Sequence, residues 1–136
     1  MEANGSMTAR AASQADFVKL TPLMQANCQK MQYDWDNYSS SANLILSSAD
    51  NGFFLLAETG EQVVGFVSFT FEWSEWRNGA MLCLQALQIA DGANAEETIA
   101  VLKTALEAHK ATLGFSCCGF RFYNPKAVHA EALQAI

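Results

Sequence analysis

The sequence predicts a single α/β (α+β) domain in which helices cover both faces of a central mixed sheet, giving three layers. Its 136 residues are enough for one ordinary hydrophobic core. Helix-like segments flank a block of strand-like segments in the middle of the chain, and one strand leads through a helix into another strand, which implies a parallel pair. We assign residues 8–136 to this domain and expect residues 1–7 to form a disordered leader.

The N-terminal third predicts a short strand and two helices. Residues 7–12 are predicted to be the strand, and Ser13–Asp16 is typical of a helix start because an acidic residue follows the cap. An apolar stripe at helical spacing follows, with a break and restart expected at Thr21–Pro22. A second, shorter helix is predicted over residues 39–48, around Leu44–Leu46.

The rest of the chain alternates strands with helices. Strands are predicted at residues 53–58, 63–71, 80–89 and 115–123. The third of these is apolar at odd and even positions alike, so both of its faces should be covered. The clearest helix is predicted over residues 94–112, with Asn94 as N-cap and Gly114 as C-cap. A last helix is predicted from Asn124 to the C-terminus.

Composition excludes several classes of function. The net charge is −6 and no cluster of Lys and Arg occurs, so a nucleic-acid partner is not expected. No apolar run approaches the roughly 20 residues of a membrane span. The four cysteines lack a C-x-x-C spacing and the two histidines are isolated, so neither a disulfide nor a metal site is expected. Free cysteines and the lack of a signal peptide favour the cytoplasm.

Four short motifs occur in a suggestive order. They are Arg10–Phe17 (R-x-A-x-x-x-D), Val63–Phe66 (V-V-G-F), Phe71–Trp76 leading to Leu82–Leu84, and Asn124-x-x-Ala127. Together they resemble the GNAT superfamily of acyl-CoA-dependent N-acetyltransferases, most closely the branch that acetylates diamines and polyamines. The resemblance covers about residues 8–136. It implies a mostly antiparallel central sheet flanked by helices, here without the last hairpin that most members possess.

Two catalytic positions of the resembled family are substituted. Gln85 stands where a carboxylate helps to take the proton of the amine, and Glu131 stands where a tyrosine often protonates the leaving thiolate. An amide cannot act as a general base, because it has no protonation change near neutral pH.

The cofactor loop of the family is also substituted. In this chain Ala93 occupies the position of the family's arginine, and Asn94, Glu96 and Thr98 occupy the positions of its glycines. Glu96 and Glu97 occupy the positive end of the helix and would repel a pyrophosphate. The resemblance implies that acetyl-CoA, the candidate cofactor, would contact Leu87, Gln88, Ile89, Asn94 and Asn124.

Aromatic and acidic residues supply the remaining ligand signal. Aromatic faces and carboxylates together suit a cation. The predicted substrate-binding residues are Tyr33, Trp35, Glu72, Trp73, Glu75 and Trp76, accompanied by Asp34 and Asp36. In the alternative interpretation the tryptophans cover the sheet or form a subunit contact, and the acids are solvated.

Three functions follow from this sequence. The favoured hypothesis is a GNAT-like homodimer with an eroded acetyl-CoA loop that is non-catalytic or altered and binds a small cationic amine. The second is an active acetyl-CoA-dependent N-acetyltransferase with an atypical cofactor site. The third is an oligomeric interaction module.

Overall fold

A mixed β-sheet forms the centre of the molecule. This computed structural model describes residues 6–122 of the chain. Five strands occur in these residues: β1 (Met7–Ala11), β2 (Gly52–Thr59), β3 (Gln62–Ser74), β4 (Gly79–Ile89) and β5 (Cys117–Phe122). Their order in the sheet follows their order in the chain. The first three pairings are antiparallel and β4–β5 is parallel, so the prediction of a mixed, mostly antiparallel sheet is confirmed.

Helices cover the two faces of the sheet. A single 3-10 turn (Gln14–Asp16) precedes α1 (Phe17–Met31) and α2 (Trp35–Ser47), and α3 (Ala95–Lys110) connects β4 to β5. The face under α1 and α2 buries Leu20, Met24, Leu56, Phe54 and Phe66. The face under α3 buries Phe69, Leu82, Leu84, Leu102 and Leu106. The three layers predicted from the sequence are therefore present.

The strand β4 supplies core residues to both faces, as its continuous apolar sequence predicts. Leu84 and Leu87 pack on the α3 side, whereas Ala86 packs on the side of α1 and α2. The alternation is interrupted by a bulge. Ser68 is opposite Ala86 and Phe69 is opposite Leu84, so no β3 residue stands opposite Gln85 in the strand register. A bulge of this kind redirects a side chain and bends the strand.

Several boundaries differ from those predicted. The first helix runs through Pro22 without a break, because the carbonyl left without a partner belongs to Val18, on the exposed side of the helix. The second helix begins at Trp35 rather than at residue 39, since the Asp34 side chain accepts a hydrogen bond from the Asn37 N–H at 2.9 Å. The strand β3 continues to Ser74, which pairs with Gly79.

The end of α3 also differs from the prediction. The helix ends at Lys110 with Ala111 as its cap, and Gly114 lies beyond it in the following turn. The N–H and the hydroxyl of Thr112 both donate to the His109 carbonyl, at 2.9 and 2.7 Å, which closes the helix end without a left-handed glycine. The predicted last helix and residues 1–5 of the predicted leader lie outside the described residues. The leader was wrong at its end, because Met7 is the first residue of β1 and pairs with Thr59 of β2.

The R-x-A-x-x-x-D motif forms an ion-pair network that fastens β1 to the start of α1. Arg10 donates from both terminal nitrogens to Asp16, at 2.8 and 2.9 Å, and from Nε to Glu58 on β2 at 2.8 Å. Asp16, which is 6% exposed, also accepts from the Ser13 N–H. The hydrogen bonds from Arg10 lower the pKa of Asp16 to about 2, although burial opposes this shift.

Stability should therefore fall in acid. The folded-state pKa of Asp16, about 2, lies below its ordinary value of 3.8, so the contribution is complete above pH 3.8 and is lost as the pH falls towards 2. At about 1.4 kcal/mol per unit, the ion pair contributes roughly 2 kcal/mol. In urea unfolding, we expect the free energy of unfolding of Asp16→Asn to be about 2 kcal/mol lower at pH 7 than that of the unaltered protein. Between pH 5 and 2 this free energy should change less with pH in the variant. Asp50→Asn, an exposed control, should change neither; an equal loss there would disprove the assignment.

Candidate functional site

A cavity of about 310 Å³ lies between α2 and the bulge of β4. Its lining residues are Tyr38, Ser41, Ala42, Ile45, Phe54, Ser68, Thr70 and Gln85. The four from α2 occur at the i, i+3, i+4, i+7 spacing of one helix face, and Ser68 and Thr70 alternate with core residues along β3. The α2 side of the cavity thus combines two hydroxyl-bearing side chains, Tyr38 and Ser41, with the apolar Ala42 and Ile45.

Gln85 stands at the bulge and faces this cavity, on the side of the sheet opposite Leu84. Its Nε2 donates to Thr70 Oγ1 at 2.8 Å. A threonine hydroxyl can donate as well as accept, so the amide can turn over and present either its oxygen or its NH₂ to the cavity. In both orientations the group is neutral, and it stands at the position where the resembled family has a carboxylate.

Tyr38, which lines the same cavity as Gln85, carries a buried hydroxyl. The hydroxyl oxygen has no hydrogen-bond partner within residues 6–122. Burial raises the pKa of Tyr38 well above its usual range, and Ser68 lies near enough to oppose that rise slightly, but no well-aligned bond joins the two hydroxyls. A buried donor left unpaired costs about 1–3 kcal/mol, so this arrangement favours a ligand that pairs with it.

A second cavity, of about 280 Å³, adjoins the first. It shares Tyr38 and Ser41 with the first cavity and is also lined by Tyr33, Asp34 and Asn37. Tyr33 is held there because α1 ends at Gln32 in the left-handed conformation, and the Tyr33 N–H donates to the Cys28 carbonyl. The Tyr33 ring and the Asp34 carboxylate of this second cavity therefore lie close to the first cavity, whose described lining carries no charge.

The predicted substrate-binding residues do not form one cluster. Tyr33 and Trp35 line a third cavity of about 490 Å³ on the outer side of α1. Trp73 lies on the α3 side of the sheet, with its ring 6.0 Å from that of Phe115. Trp76 and Glu75 lie between β3 and β4, where Trp76 is 97% exposed.

Glu72 lies on the α1–α2 side of the sheet, separate from the tryptophans. It is paired with Arg121 of β5 at 2.8 Å, so its charge is already balanced. The thiol of Cys83 is 3.7 Å from Glu72 Oε1. Burial and this carboxylate raise the pKa of Cys83, which keeps the thiol neutral and unsuited to nucleophilic attack.

The end of β4 presents an open backbone edge at Leu87 and Ile89. The Ala90 N–H donates to the Val64 carbonyl at 2.8 Å. Bonded and non-bonded pairs alternate in an antiparallel ladder, so the backbone groups of Leu87 and Ile89 point away from β3. The described β4–β5 pairing ends at Leu84–Phe122, which leaves this edge unpaired within residues 6–122.

Side-chain amides partly occupy that edge. Asn27 of α1, only 3% exposed, donates from Nδ2 to the Leu87 carbonyl and to Gln88 Oε1, both at 3.3 Å. Gln88 in turn donates from Nε2 to the Ile89 carbonyl at 3.3 Å. Both carbonyls of the edge therefore have a side-chain donor in this structure.

The start of α3 follows directly after this edge. Asn94 caps the helix, with Oδ1 accepting from the Glu97 N–H at 2.9 Å, and Glu96 and Glu97 are exposed in the first turn. Thr98 is fully buried and donates to the Asn94 carbonyl at 2.7 Å. Its methyl group packs over Gly65 of β3, where an added Cβ would lie 2.6 Å from it.

Acetyl-CoA, which the resemblance implies, fits only one part of this site. The open edge at Leu87 and Ile89 suits a pantetheine arm, which can add to a strand through backbone hydrogen bonds. The start of α3 does not suit a pyrophosphate, because two carboxylates stand where anion-binding amides are needed and Asn94 already uses the Glu97 N–H. The residues present therefore do not fit the whole cofactor.

Two predicted site residues, Asn124 and Glu131, lie outside the described part of the chain. Within the described part, no group of three or more His, Cys, Asp or Glu side chains is placed to hold a metal ion. No helix among residues 6–122 is long and apolar enough to cross a membrane.

The sequence interpretation missed most of the cavity wall. Ser41, Ser68 and Thr70 carry no motif, and only the period-two alternation of β3 could have placed the last two on one face. Tyr38 could have been found from the Asp34 cap, because a helix starting at residue 35 puts Tyr38, Ser41 and Ile45 on one face.

Comparisons with known proteins agree with the described fold. No protein-family profile and no curated protein matches this sequence. Among solved structures, a possible acetyltransferase from Clostridium difficile 630 has 19% identity and a TM-score of 0.74, over 93% of this chain and 85% of that chain. The aminoglycoside N-acetyltransferase AAC(6')-Iy in complex with CoA has 14% identity and a TM-score of 0.70, over 97% and 88%.

A third solved structure names the family directly. A GNAT family acetyltransferase from Staphylococcus aureus has 16% identity and a TM-score of 0.66, over 89% of this chain and 88% of that chain. At identities this low, the similarity shows a shared fold. This chain has the GNAT acetyltransferase fold.

Proposed function

We propose that this protein binds a small amine-bearing molecule between α2 and β4 and does not transfer an acetyl group to it. The observation that carries the proposal is the chemistry of the cavity at Gln85. Its described lining contains no group that can take a proton near neutral pH, since the only titratable side chain is Tyr38, whose pKa is raised by burial. Amine acetylation requires the attacking nitrogen to lose a proton.

The start of α3 supports the absence of acetyl transfer. Exposed Glu96 and Glu97 stabilise the helix end by about 0.3–1 kcal/mol each, and they repel phosphate groups at the same place. A solved neighbour contains CoA, but that finding concerns the neighbour. This chain has kept the fold while its own side chains oppose the anionic part of the cofactor.

The second cavity supports an amine. Asp34 supplies a carboxylate and Tyr33, 48% exposed, supplies an aromatic face, the pair of groups that attracts an ammonium ion. The net charge of −6 favours the approach of cations.

A second candidate is an acetyl-CoA-dependent N-acetyltransferase with an atypical cofactor site. The edge of β4 favours it, because the backbone groups of Leu87 and Ile89 point away from β3, and a pantetheine arm could pair with them if it displaced the Asn27 and Gln88 amides from the two carbonyls. Binding would then depend on the edge rather than on the start of α3.

Thermal shift with putrescine and with acetyl-CoA, each at millimolar concentration, separates the two candidates. A ligand that binds only the folded state raises the melting temperature by mass action. We expect putrescine to raise it and acetyl-CoA to leave it unchanged. We also expect no amine-dependent release of CoA thiol when both are present. Release of thiol at a rate above the uncatalysed reaction would overturn the proposal in favour of the second candidate.

Asp34→Asn is the matched variant for the amine. Asparagine caps a helix about as well as aspartate, so α2 should keep its start while the charge is removed. We expect affinity for putrescine, measured by calorimetry, to fall about five- to tenfold, as for the loss of one partly exposed charge at close range. Unchanged affinity would show that the amine lies elsewhere.

A further inference from the structure

The cavity at Gln85 is neutral, whereas the adjoining cavity carries a charge. The polar groups of the first cavity are hydroxyls and one amide, and its described lining holds no ionised side chain. The carboxylate of Glu72, on the same face of β3, is occupied by Arg121 at 2.8 Å. An ammonium ion entering this cavity would lose its hydration without gaining a counter-charge, which is unfavourable.

The same groups pair well with a secondary amide. Tyr38 has an unpaired hydroxyl that can donate, and Gln85 has one end of its amide free because the other is bonded to Thr70. A secondary amide carries one acceptor and one donor, so it can pair with Tyr38 and with Gln85 in either orientation of the glutamine. The Tyr38 oxygen is enclosed in this structure, so pairing with a ligand requires the side chains beside the cavity to move.

We propose that the ligand is an N-acylated amine, with its neutral amide between Tyr38 and Gln85 and its remaining ammonium group beside Asp34 and Tyr33. The two cavities share Tyr38 and Ser41, so one short molecule can span them. This inference rests on the proposed function, and it makes the protein a receptor for acylated amines rather than an enzyme that produces them.

Three apolar side chains complete the amide subsite: Ala42, Ile45 and Phe54. They give the cavity an apolar wall beside its polar groups. Such a wall suits the methyl group of an acetamide, which gains by leaving water. A free amine offers nothing to this wall, so the subsite should discriminate against it.

The test compares N-acetylputrescine with putrescine by calorimetry. We expect the acetylated compound to bind the unaltered protein at least tenfold more tightly. Gln85→Glu should reverse this preference. A carboxylate in the cavity would attract the second ammonium group of putrescine, which N-acetylputrescine replaces with a neutral amide. Tyr38→Phe should reduce the preference by at least fivefold and raise the melting temperature of the ligand-free protein, since it removes the unpaired hydroxyl.

Gln85→Met is the second variant, in case a carboxylate at the bulge prevents folding. It is neutral and of similar length, and it should abolish the preference by removing both hydrogen-bonding ends. If putrescine binds as tightly as N-acetylputrescine and Asp34→Asn weakens both, the amide inference fails while the proposed function stands. If neither compound binds, both proposals fail.

Discussion

Replacing Gly65 with alanine is expected to lower the free energy of unfolding by about 2 kcal/mol. A Cβ at this position would lie 2.6 Å from the methyl group of Thr98, and Thr98 is fully buried at the start of α3. Overpacking of this kind costs about 1–3 kcal/mol. The gain of about 0.4–1 kcal/mol from a less flexible unfolded chain offsets only part of this cost.

Thr98→Ser provides the matched control for this prediction. Serine removes the methyl group but keeps the hydroxyl that donates to the Asn94 carbonyl at 2.7 Å. We expect Thr98→Ser alone to be mildly destabilised. The double variant Gly65→Ala/Thr98→Ser should recover at least half of the stability that Gly65→Ala loses. Urea unfolding of all four proteins gives the coupling energy. Additive losses would show that the two side chains do not meet.

This contact explains a departure from the resembled family. The sequence places Thr98 on a glycine of the family's cofactor loop. In this structure α3 approaches the sheet closely at Gly65 of β3, which belongs to the V-V-G-F motif, and the Thr98 methyl fills the space above it. The packing of α3 on the sheet therefore does not depend on a glycine at position 98.

The layers and element order followed from the sequence because they depend on periodic burial. The apolar stripe of α3 and the continuous apolar sequence of β4 determine which faces are covered. Boundaries were less predictable. The start of α2 depends on one side-chain bond from Asp34, and β3 continues past Phe71 because its polar end pairs with β4.

Only those site residues that belong to a family motif could be predicted from the sequence. Gln85 was located by the family pattern, but the bulge that places Ala86 on the same face as Gln85 has no signature in the sequence. The grouping of tyrosines, tryptophans and acids was proposed from composition. Strand alternation instead places Trp73 and Glu72 on opposite faces of β3, and the long hairpin carries Trp76 into solvent.

Neutralising the first turn of α3 is expected to increase the affinity for acetyl-CoA about tenfold or more. Glu96 and Glu97 are both exposed beside the helix end, where each close pair with a phosphate costs about 1 kcal/mol at the dielectric of water and more near the protein. Glu96→Gln/Glu97→Gln removes both charges and leaves the Asn94 cap unchanged. The measurement is calorimetric titration with acetyl-CoA at low salt.

The control removes the same charge elsewhere. Glu61→Gln/Glu75→Gln has an equal net charge, and both residues are exposed in turns on the β2–β3 and β3–β4 connections. We expect its affinity for acetyl-CoA to remain that of the unaltered protein. An equal increase in both double variants would assign the effect to overall charge, and no increase in either would show that the missing glycines exclude the cofactor by shape.

The stability of the same variant tests why the glutamates are there. Acidic residues in the first turn stabilise a helix by about 0.3–1 kcal/mol each, so Glu96→Gln/Glu97→Gln should unfold at a lower urea concentration while binding acetyl-CoA more tightly. Both effects should shrink in 1 M salt, where exposed charges are screened beyond about 3 Å. The same two charges that stabilise the start of α3 would then be the ones that oppose a phosphate group there. A gain in affinity without a loss of stability would contradict that explanation.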